Sequence, residues 1–269
     1  MTRLSHQLDD LSPAAPAKSN EERYFITALS RGLDVLACFG SGDKALSNQQ
    51  IATRCGLPKS TVTRITFTLT KLGYLIQLDN GGRYAIGSAT LALGSSTLAR
   101  MDIRQLARPL MQELADFSHA TVALGVRDRL TMIYIEMCRS SATVALTLQV
   151  GSRMPLATSA MGRAFLATAS EQERNDVLSR WQELDDAART SLRQGVEKGS
   201  ADYRQFGCAT SFGEWQQDVN GIAVGVDAGA GTPAMVINCG GPSASLSREF
   251  LLDEVRPRLV ALAARLGHS

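Results

Sequence analysis

The spacing of apolar positions changes character near residue 120. Before it, apolar residues recur every three or four positions, the period of helices with one buried face. Ile26, Leu29, Leu33, Leu36 and Ala37 predict a first helix that stops at Gly40. "GSGDKAL" reads as a loop. Ser47 followed by Gln50 has capping-box spacing, and Ile51, Ala52 and Cys55 give the helix behind it a short buried stripe ending at Gly56. The next stretch, "PKSTVTRITFTLTKLG" over 58–73, is ambiguous, because "ITFTLT" alternates with the period of a strand. Val62, Ile65, Leu69 and Leu72 nevertheless share a helical sector of roughly 80°. A strand would put Val62 and Leu72 on the wrong face. Pro58 suits a helix start and Gly73 its end, so the stretch is read as a helix. Two helices about a tight glycine turn make a helix-turn-helix. In "YLIQLDNGGRYAIG", two short strands at 74–78 and 83–86 flank the turn "DNGG", which makes the motif winged. "SATLALGSSTLARM" and "IRQLARPLMQELADFS" predict two more helices, the second kinked or restarted near Pro109.

Beyond residue 120, strands dominate. "TVALGVRDR" and "LTMIYIEMCR" flank a turn, and "ATVALTLQVG" is a third strand. "CATSFGEW", "GIAVGVDA" and "AMVINCGGP" are further strands with glycines. "SAMGRAFLATA", "SEQERNDVLSRW" (Ser170 and Glu173 at capping-box spacing) and "LDDAARTSLRQGVEKGS" are helical. A long terminal helix is interrupted near Pro257. Helices segregated around such strands predict an α+β sensor-like sheet.

Charge sharpens this division. Residues 23–110 hold eleven Lys/Arg and four Asp/Glu, a net +7; residues 111–269 hold fifteen and eighteen, a net −3. No acid occurs in residues 44–78. A basic head on a mildly acidic body suggests a polyanion partner for the head and a different task for the body. On the helix at 58–73, Ser60, Thr63, Arg64, Phe67 and Lys71 point away from the apolar stripe. That hydroxyl-and-cation face suits phosphates.

Composition excludes several classes. No apolar run reaches the length of a membrane span, and the polar start lacks a signal peptide, so a cytoplasmic protein is expected. Five scattered cysteines without a CxxC suggest reduced, packed thiols. Three histidines, two of them near the termini, leave little for a metal centre or a triad. GxSxG, GxxxxGK[ST] and HExxH are absent. No cofactor and no metal are expected. Cys208 and His119 are the single Cys–His pair an enzyme could draw on.

Taken together, "ALSRGLDVLACF", "LSNQQIATRCGLPKSTVTRI", "TLTKLGYL", "YAIGSATLALG", "VGSRMPLATSAMGRAFLA" and "IAVGVDAGAGTPAMVINCGGP" resemble the IclR family of bacterial transcription regulators, from about Phe25 to Leu266. The resemblance implies an α+β chain in four parts. A disordered arm spans 1–22 and a winged helix-turn-helix 23–87. A linker helix follows at 88–103, then a GAF/PAS-like effector-binding domain at 104–269. It implies dimers, often paired into tetramers, on a palindromic double-stranded operator. The opening "YFITALSRGLDVLACF" is similar to the branch controlling aromatic-acid catabolism, which suggests a small aromatic acid as effector.

Carried over by position, the DNA-contacting residues are Lys59, Ser60, Thr61, Thr63 and Arg64. Lys59 and Ser60 sit where helix N-terminal amides favour phosphate, and Arg64 can fork onto guanine. Gln49 touches backbone or only solvent, and Arg83 at the wing tip meets phosphate or minor groove. Phe67 stands where the family has a polar residue, and either meets a thymine methyl or tucks against the wing. The implied effector pocket is Met154, Ala160, Met161, Ser211, Gly221, Asn238 and Gly240. A helix N-terminus near 159–162 would offer amides to a carboxylate, and the methionines an adaptable wall. Gly221 and Gly240 suggest a roomy pocket. The expected function is a ligand-responsive DNA-binding regulator, not an enzyme. The alternatives are an enzyme on a small acid with a DNA-binding appendage, and an architectural DNA binder without a ligand.

Overall fold

The computed structural model describes residues 24–40, 42–78, 82–98, 103–141, 148–180, 184–227 and 234–267. The N-terminal arm, most of the "DNGG" turn, the end of the linker stretch and most of "ATVALTLQVG" fall outside the described residues. Two units are present, Met1–Leu93 and Gly94–Ser269.

In the first unit, α1 (Thr27–Ala37) precedes β1 (Leu46–Ser47), α2 (Asn48–Cys55) and α3 (Lys59–Lys71). The capping box forms: Gln50 N donates to Ser47 Oγ, and Ser47 N donates to Gln50 Oε1 at 2.9 Å. Gly56, at φ +63°, ends α2 in the left-handed conformation. The "ITFTLT" stretch is helical, so its period-two alternation does not make a strand. Val35, Leu46, Ile51, Ala52, Val62, Leu69, Leu75 and Tyr84 form the core. The wing pairs β2 (Leu75–Gln77) with β3 (Arg83–Ile86). β1 adds a third strand on β3, so the predicted loop before Ser47 ends in sheet.

The structure corrects two apolar stripes. On α1 the fully buried residue is Val35, while Leu29 and Leu33 are 59% and 54% exposed. At the C-cap of α3, Leu72 is 61% exposed, and within the helix Thr66 takes the buried position.

In the second unit, α4 (Ser88–Leu98) begins in the first unit and is followed by α5 (Ile103–Ser118), which continues through Pro109 without the predicted restart. β4 (Thr121–Asp128), β5 (Thr131–Arg139), β6 (Arg153–Pro155), β7 (Ala209–Phe212), β8 (Val219–Val226) and β9 (Met235–Pro242) form one antiparallel sheet, ordered β6-β5-β4-β9-β8-β7. Helices α6 (Ala160–Thr168), α7 (Glu171–Ser179) and α8 (Asp186–Phe206) lie between β6 and β7 in the chain. One core packs α5 and the terminal helix on one face of the sheet. The other packs α6, with Leu192 of α8 and Val177 of α7, on the opposite face. The terminal helix is α9 (Arg248–Phe250), a π turn at Leu251–Val255 and α10 (Arg256–Gly267). Arg256 N reaches back five residues to Leu251 O. The wide turn precedes Pro257, whose ring an ordinary helix turn would crowd.

Candidate DNA-binding face and ligand pocket

Helix α3 is held against α2 by a hydroxyl. Thr66 is completely buried, and its Oγ1 donates to Asn48 Oδ1 at 3.1 Å and lies 3.0 Å from Val62 O. Asn48 Nδ2 in turn donates weakly to Thr63 Oγ1 at 3.4 Å. Arg54 of α2 pairs with Asp43 through both guanidinium ends. The Asn48 contacts tie α3 to α2, and the Arg54–Asp43 pair ties α2 to the loop before it.

The outward stripe of α3 is Ser60, Arg64, Phe67 and Lys71, all exposed. Lys59 and Thr63 are also exposed, while Thr61 is half-buried on the flank toward α1. No side chain caps α3. Val62 N bonds Pro58 O, so the amides of Lys59, Ser60 and Thr61 have no partner within the helix. Three amides without helical partners beside Lys59 make the start of α3 electrostatically favourable to an anion. Phe67 is 63% exposed, with Lys71 Nζ 5.7 Å from its ring centroid; it is presented outward and not tucked into the core. Gln49 is exposed, and its backbone carbonyl accepts from Thr53. Arg83 is exposed at the start of β3. All eight sequence-assigned residues therefore belong to one small unit, with Thr61 at its margin.

The second unit encloses a cavity of about 30 Å³. Its lining includes all seven residues assigned from the sequence, Met154, Ala160, Met161, Ser211, Gly221, Asn238 and Gly240. Strand register explains the convergence. Thr121 of β4 faces Gly240 of β9, Gly240 faces Gly221 of β8, and Gly221 faces Ser211 of β7, one row across four strands. The N-terminus of α6 sits over this row. A Cβ built on Gly221 would lie 4.0 Å from the Ala160 Cβ and 3.3 Å from Cys239 O. The expectation of a roomy pocket is thus corrected: the glycines let helix and strands approach and leave little space.

Ser159 caps α6, accepting from Gly162 N at 3.0 Å and donating to Pro155 O at 2.7 Å. Gly162 is required there, since a Cβ would fall 2.3 Å from the Leu156 Cα. Ser211 Oγ donates to Thr158 O at 2.8 Å, tying β7 to the loop before α6. Arg163 turns away from the cavity toward Thr210 O and Glu214. Among the described residues, no Lys, Arg or His lines the cavity.

Sequence reading missed Thr121, Tyr134, Leu148, Trp215, Val219 and Asn220 in the wall. Tyr134 was concealed by a bulge at Leu124/Gly125, which changes the phase of β5. Cys208 lies fully buried, its thiol pushed up to about 11 by burial. It is a packing residue, not a nucleophile. Among the described residues, no group of three or more His, Cys, Asp or Glu is placed to hold a metal, and no helix is long and apolar enough to cross a membrane.

Comparison with known proteins decides the family. The sequence model described as "IclR helix-turn-helix domain" matches residues 28–79, and that described as "Bacterial transcriptional regulator IclR C-terminal" matches 95–268. The chain belongs to the IclR family. The HTH-type transcriptional regulator TsaQ1/TsaQ2 of Comamonas testosteroni is 33% identical over 87% of this chain and 84% of its own length. The crystal structure of an IclR-family transcriptional regulator from Brucella abortus is 41% identical with a TM-score of 0.80, covering 94% of this chain and 96% of its own. An IclR homologue from Microbacterium hydrocarbonoxydans, solved in complex with 4-hydroxybenzoate, shares the fold at 23% identity and a TM-score of 0.65, covering 90% of this chain and 98% of its own. This IclR-family chain is a DNA-binding transcription regulator, and the enzyme alternative finds no support among its relatives.

Proposed function

We propose that this regulator docks α3 in the major groove of a palindromic operator, and that a small aromatic acid in the second unit modulates that binding. The DNA part rests on the free amides of Lys59, Ser60 and Thr61 beside an acid-free outward stripe of Ser60, Arg64, Phe67 and Lys71. Lys59 and Ser60 hold phosphate, Arg64 and Phe67 face base edges, and Thr63, Thr61, Gln49 and Arg83 border the contact.

The effector part rests on one observation: Ser159 caps Gly162 N alone, which leaves the amides of Ala160 and Met161 without a partner in the helix, in two residues that line the cavity beside Met154 and Trp215. The amides of Ala160 and Met161 receive a carboxylate. A cavity of about 30 Å³ holds about one or two waters, so the acid enters by displacing part of the wall. A fold relative that binds 4-hydroxybenzoate supports an acid of this size.

The working unit is a cytoplasmic homodimer, paired into tetramers on adjacent sites, with an arm at 1–22, a reader at 23–87, a linker at 88–103 and an effector domain at 104–269. A gel-shift series with the DNA upstream of its own gene, run with and without benzoates, tests the reading. Specific DNA is expected to be preferred over random DNA, with the preference shifted by an acid. Equal binding to both DNAs overturns the regulator model, and binding that no acid alters favours an architectural role.

A further inference from the structure

The cavity wall carries more hydrogen-bonding capacity than the protein uses. Thr121 Oγ1 and Asn238 Oδ1 are buried without a partner, in residues only 3% and 8% exposed. Asn238 Nδ2 donates to Tyr134 Oη at 3.4 Å, a long bond. Tyr134 is fully enclosed, and burial pushes its phenol up to about 12, so it keeps its proton at neutral pH. All three residues line the same cavity.

Their placement follows from register. Thr121 faces Gly240 and Asn238 faces Ala123, which makes Thr121 and Asn238 diagonal neighbours on one face of the sheet. The bulge sets Tyr134 opposite Gly125, joining it to that face.

The deficit does not depend on how the amide is oriented. With the oxygen free, the cluster lacks a donor. Exchange oxygen and nitrogen, and the amide accepts from Tyr134 while its N–H groups go unpaired. Thr121 is unpaired in both cases. A group that both donates and accepts completes the cluster. A hydroxyl does this; a carboxylate only accepts, and a bare ring edge does neither.

We infer that the effector is read at two points: a carboxylate on the Ala160 and Met161 amides, and a ring hydroxyl in the Thr121–Asn238–Tyr134 cluster. The ligand class is a hydroxylated aromatic acid. This inference rests on the carboxylate site proposed above and adds the second point of recognition. A site built to hydrogen-bond a hydroxyl rejects the analogue lacking it, because its buried polar groups are then left unpaired. An unsubstituted aromatic acid would cover the cluster with C–H.

Calorimetric titration of the full-length protein with benzoate, the three monohydroxybenzoates and their methoxy counterparts tests it. One hydroxy isomer is expected to bind at least about tenfold more tightly than benzoate. Its methoxy counterpart, which accepts but cannot donate, should gain nothing. The advantage should shrink to within about threefold in Thr121→Val/Asn238→Leu. The near-isosteric Thr121→Val alone should reduce it, which covers the case where the double variant fails to fold. Benzoate binding as tightly as every hydroxy isomer, or an advantage that survives both variants, overturns the inference while leaving the carboxylate site standing. Silence of benzoate and all its derivatives overturns the carboxylate site itself, and this inference with it.

Discussion

Thr66 and Phe67 are sequence neighbours with opposite roles, and both bear on how the reader works. Thr66 is a polar residue in the core, tolerated because its hydroxyl is satisfied by Val62 O and Asn48 Oδ1. Thr66→Val removes the link between α2 and α3, and should cost about 0.5–1.5 kcal/mol in urea unfolding. Asn48→Ala should cost less, since Thr66 keeps its bond to Val62 O. Phe67 is mostly exposed, so Phe67→Gln should leave stability within about 0.5 kcal/mol. Its expected effect is on DNA: a smaller preference for specific over random sequence, measured by gel shift. Unchanged preference would mean that Phe67 does not read bases. The direction of Phe67 was legible from the helical period, because Val62 and Leu69 fix the buried side. Thr66 was not, because a polar residue beside a strand-like alternation gives no sign of being inside. Buried acids predict a pH response. Tyr134 and Tyr203 are pushed up to about 12, and Cys239 likewise, all by burial. Between their unfolded values and these, the native state holds protons that the unfolded state has released. Stability is therefore fully present below about pH 9 and falls as pH rises toward 12. Urea melts from pH 7 to 11 should show that decline.

At the scale of elements, five of the six strands were readable, but the short β6 at Arg153–Pro155 and the order of the sheet were not. Glycine-rich apolar runs announced β8 and β9, yet nothing in the chain fixes β9 between β4 and β8. The same limit hid the bulge on β5. Strict alternation would put Tyr134 and Glu136 on one face. The extra residue at Ile135 sends Tyr134 to the cavity and Glu136 to the α5 side. There Glu136 is buried, with Arg104 Nη2 at 3.0 Å and Arg108 Nη1 at 2.7 Å. The carboxylate is buried, while the side chains of Arg104 and Arg108 are 24% and 62% exposed, so neutralising Glu136 removes charge-assisted hydrogen bonds and leaves two cations that water reaches in part. Glu136→Gln should therefore destabilise by about 1–3 kcal/mol, read by urea unfolding. A loss under about 1 kcal/mol would mean that water already screens the pair. The seven pocket residues came together despite the hidden order because six of them lie on α6 or on the row and face that β7, β8 and β9 share.

For the whole molecule, the first unit alone does not bury what its sequence supplies. Tyr24, Phe25, Ile26, Leu29 and Leu33 are all more than half exposed. Leu29, Leu33 and Leu36 of α1 border a groove of about 670 Å³ with Ile65 and Leu72 of α3 and Leu93 of α4. Large contiguous apolar surface on a soluble unit marks an interaction site. An apolar stripe at helical spacing normally predicts a core, yet here Leu29 and Leu33 stay exposed within the single chain. In a dimer of heads, a second copy of α1 is the expected cover, which would set the two α3 helices at a fixed separation on a palindromic site. Leu29→Gln/Leu33→Gln tests this without placing a new charge beside Arg64, which borders the same groove. Both residues are exposed in the single chain, so each head should keep its fold, checked by circular dichroism. Sedimentation should then show loss of the head-to-head association. Affinity for the full operator should fall to about that for a half-site, because the second head no longer benefits from the first. The salt dependence should change with it: one head neutralises about half as many phosphates, so the slope of log affinity against log salt should fall by about half. An unchanged slope and mass in the variant would show that the α1 stripe is not what pairs the heads.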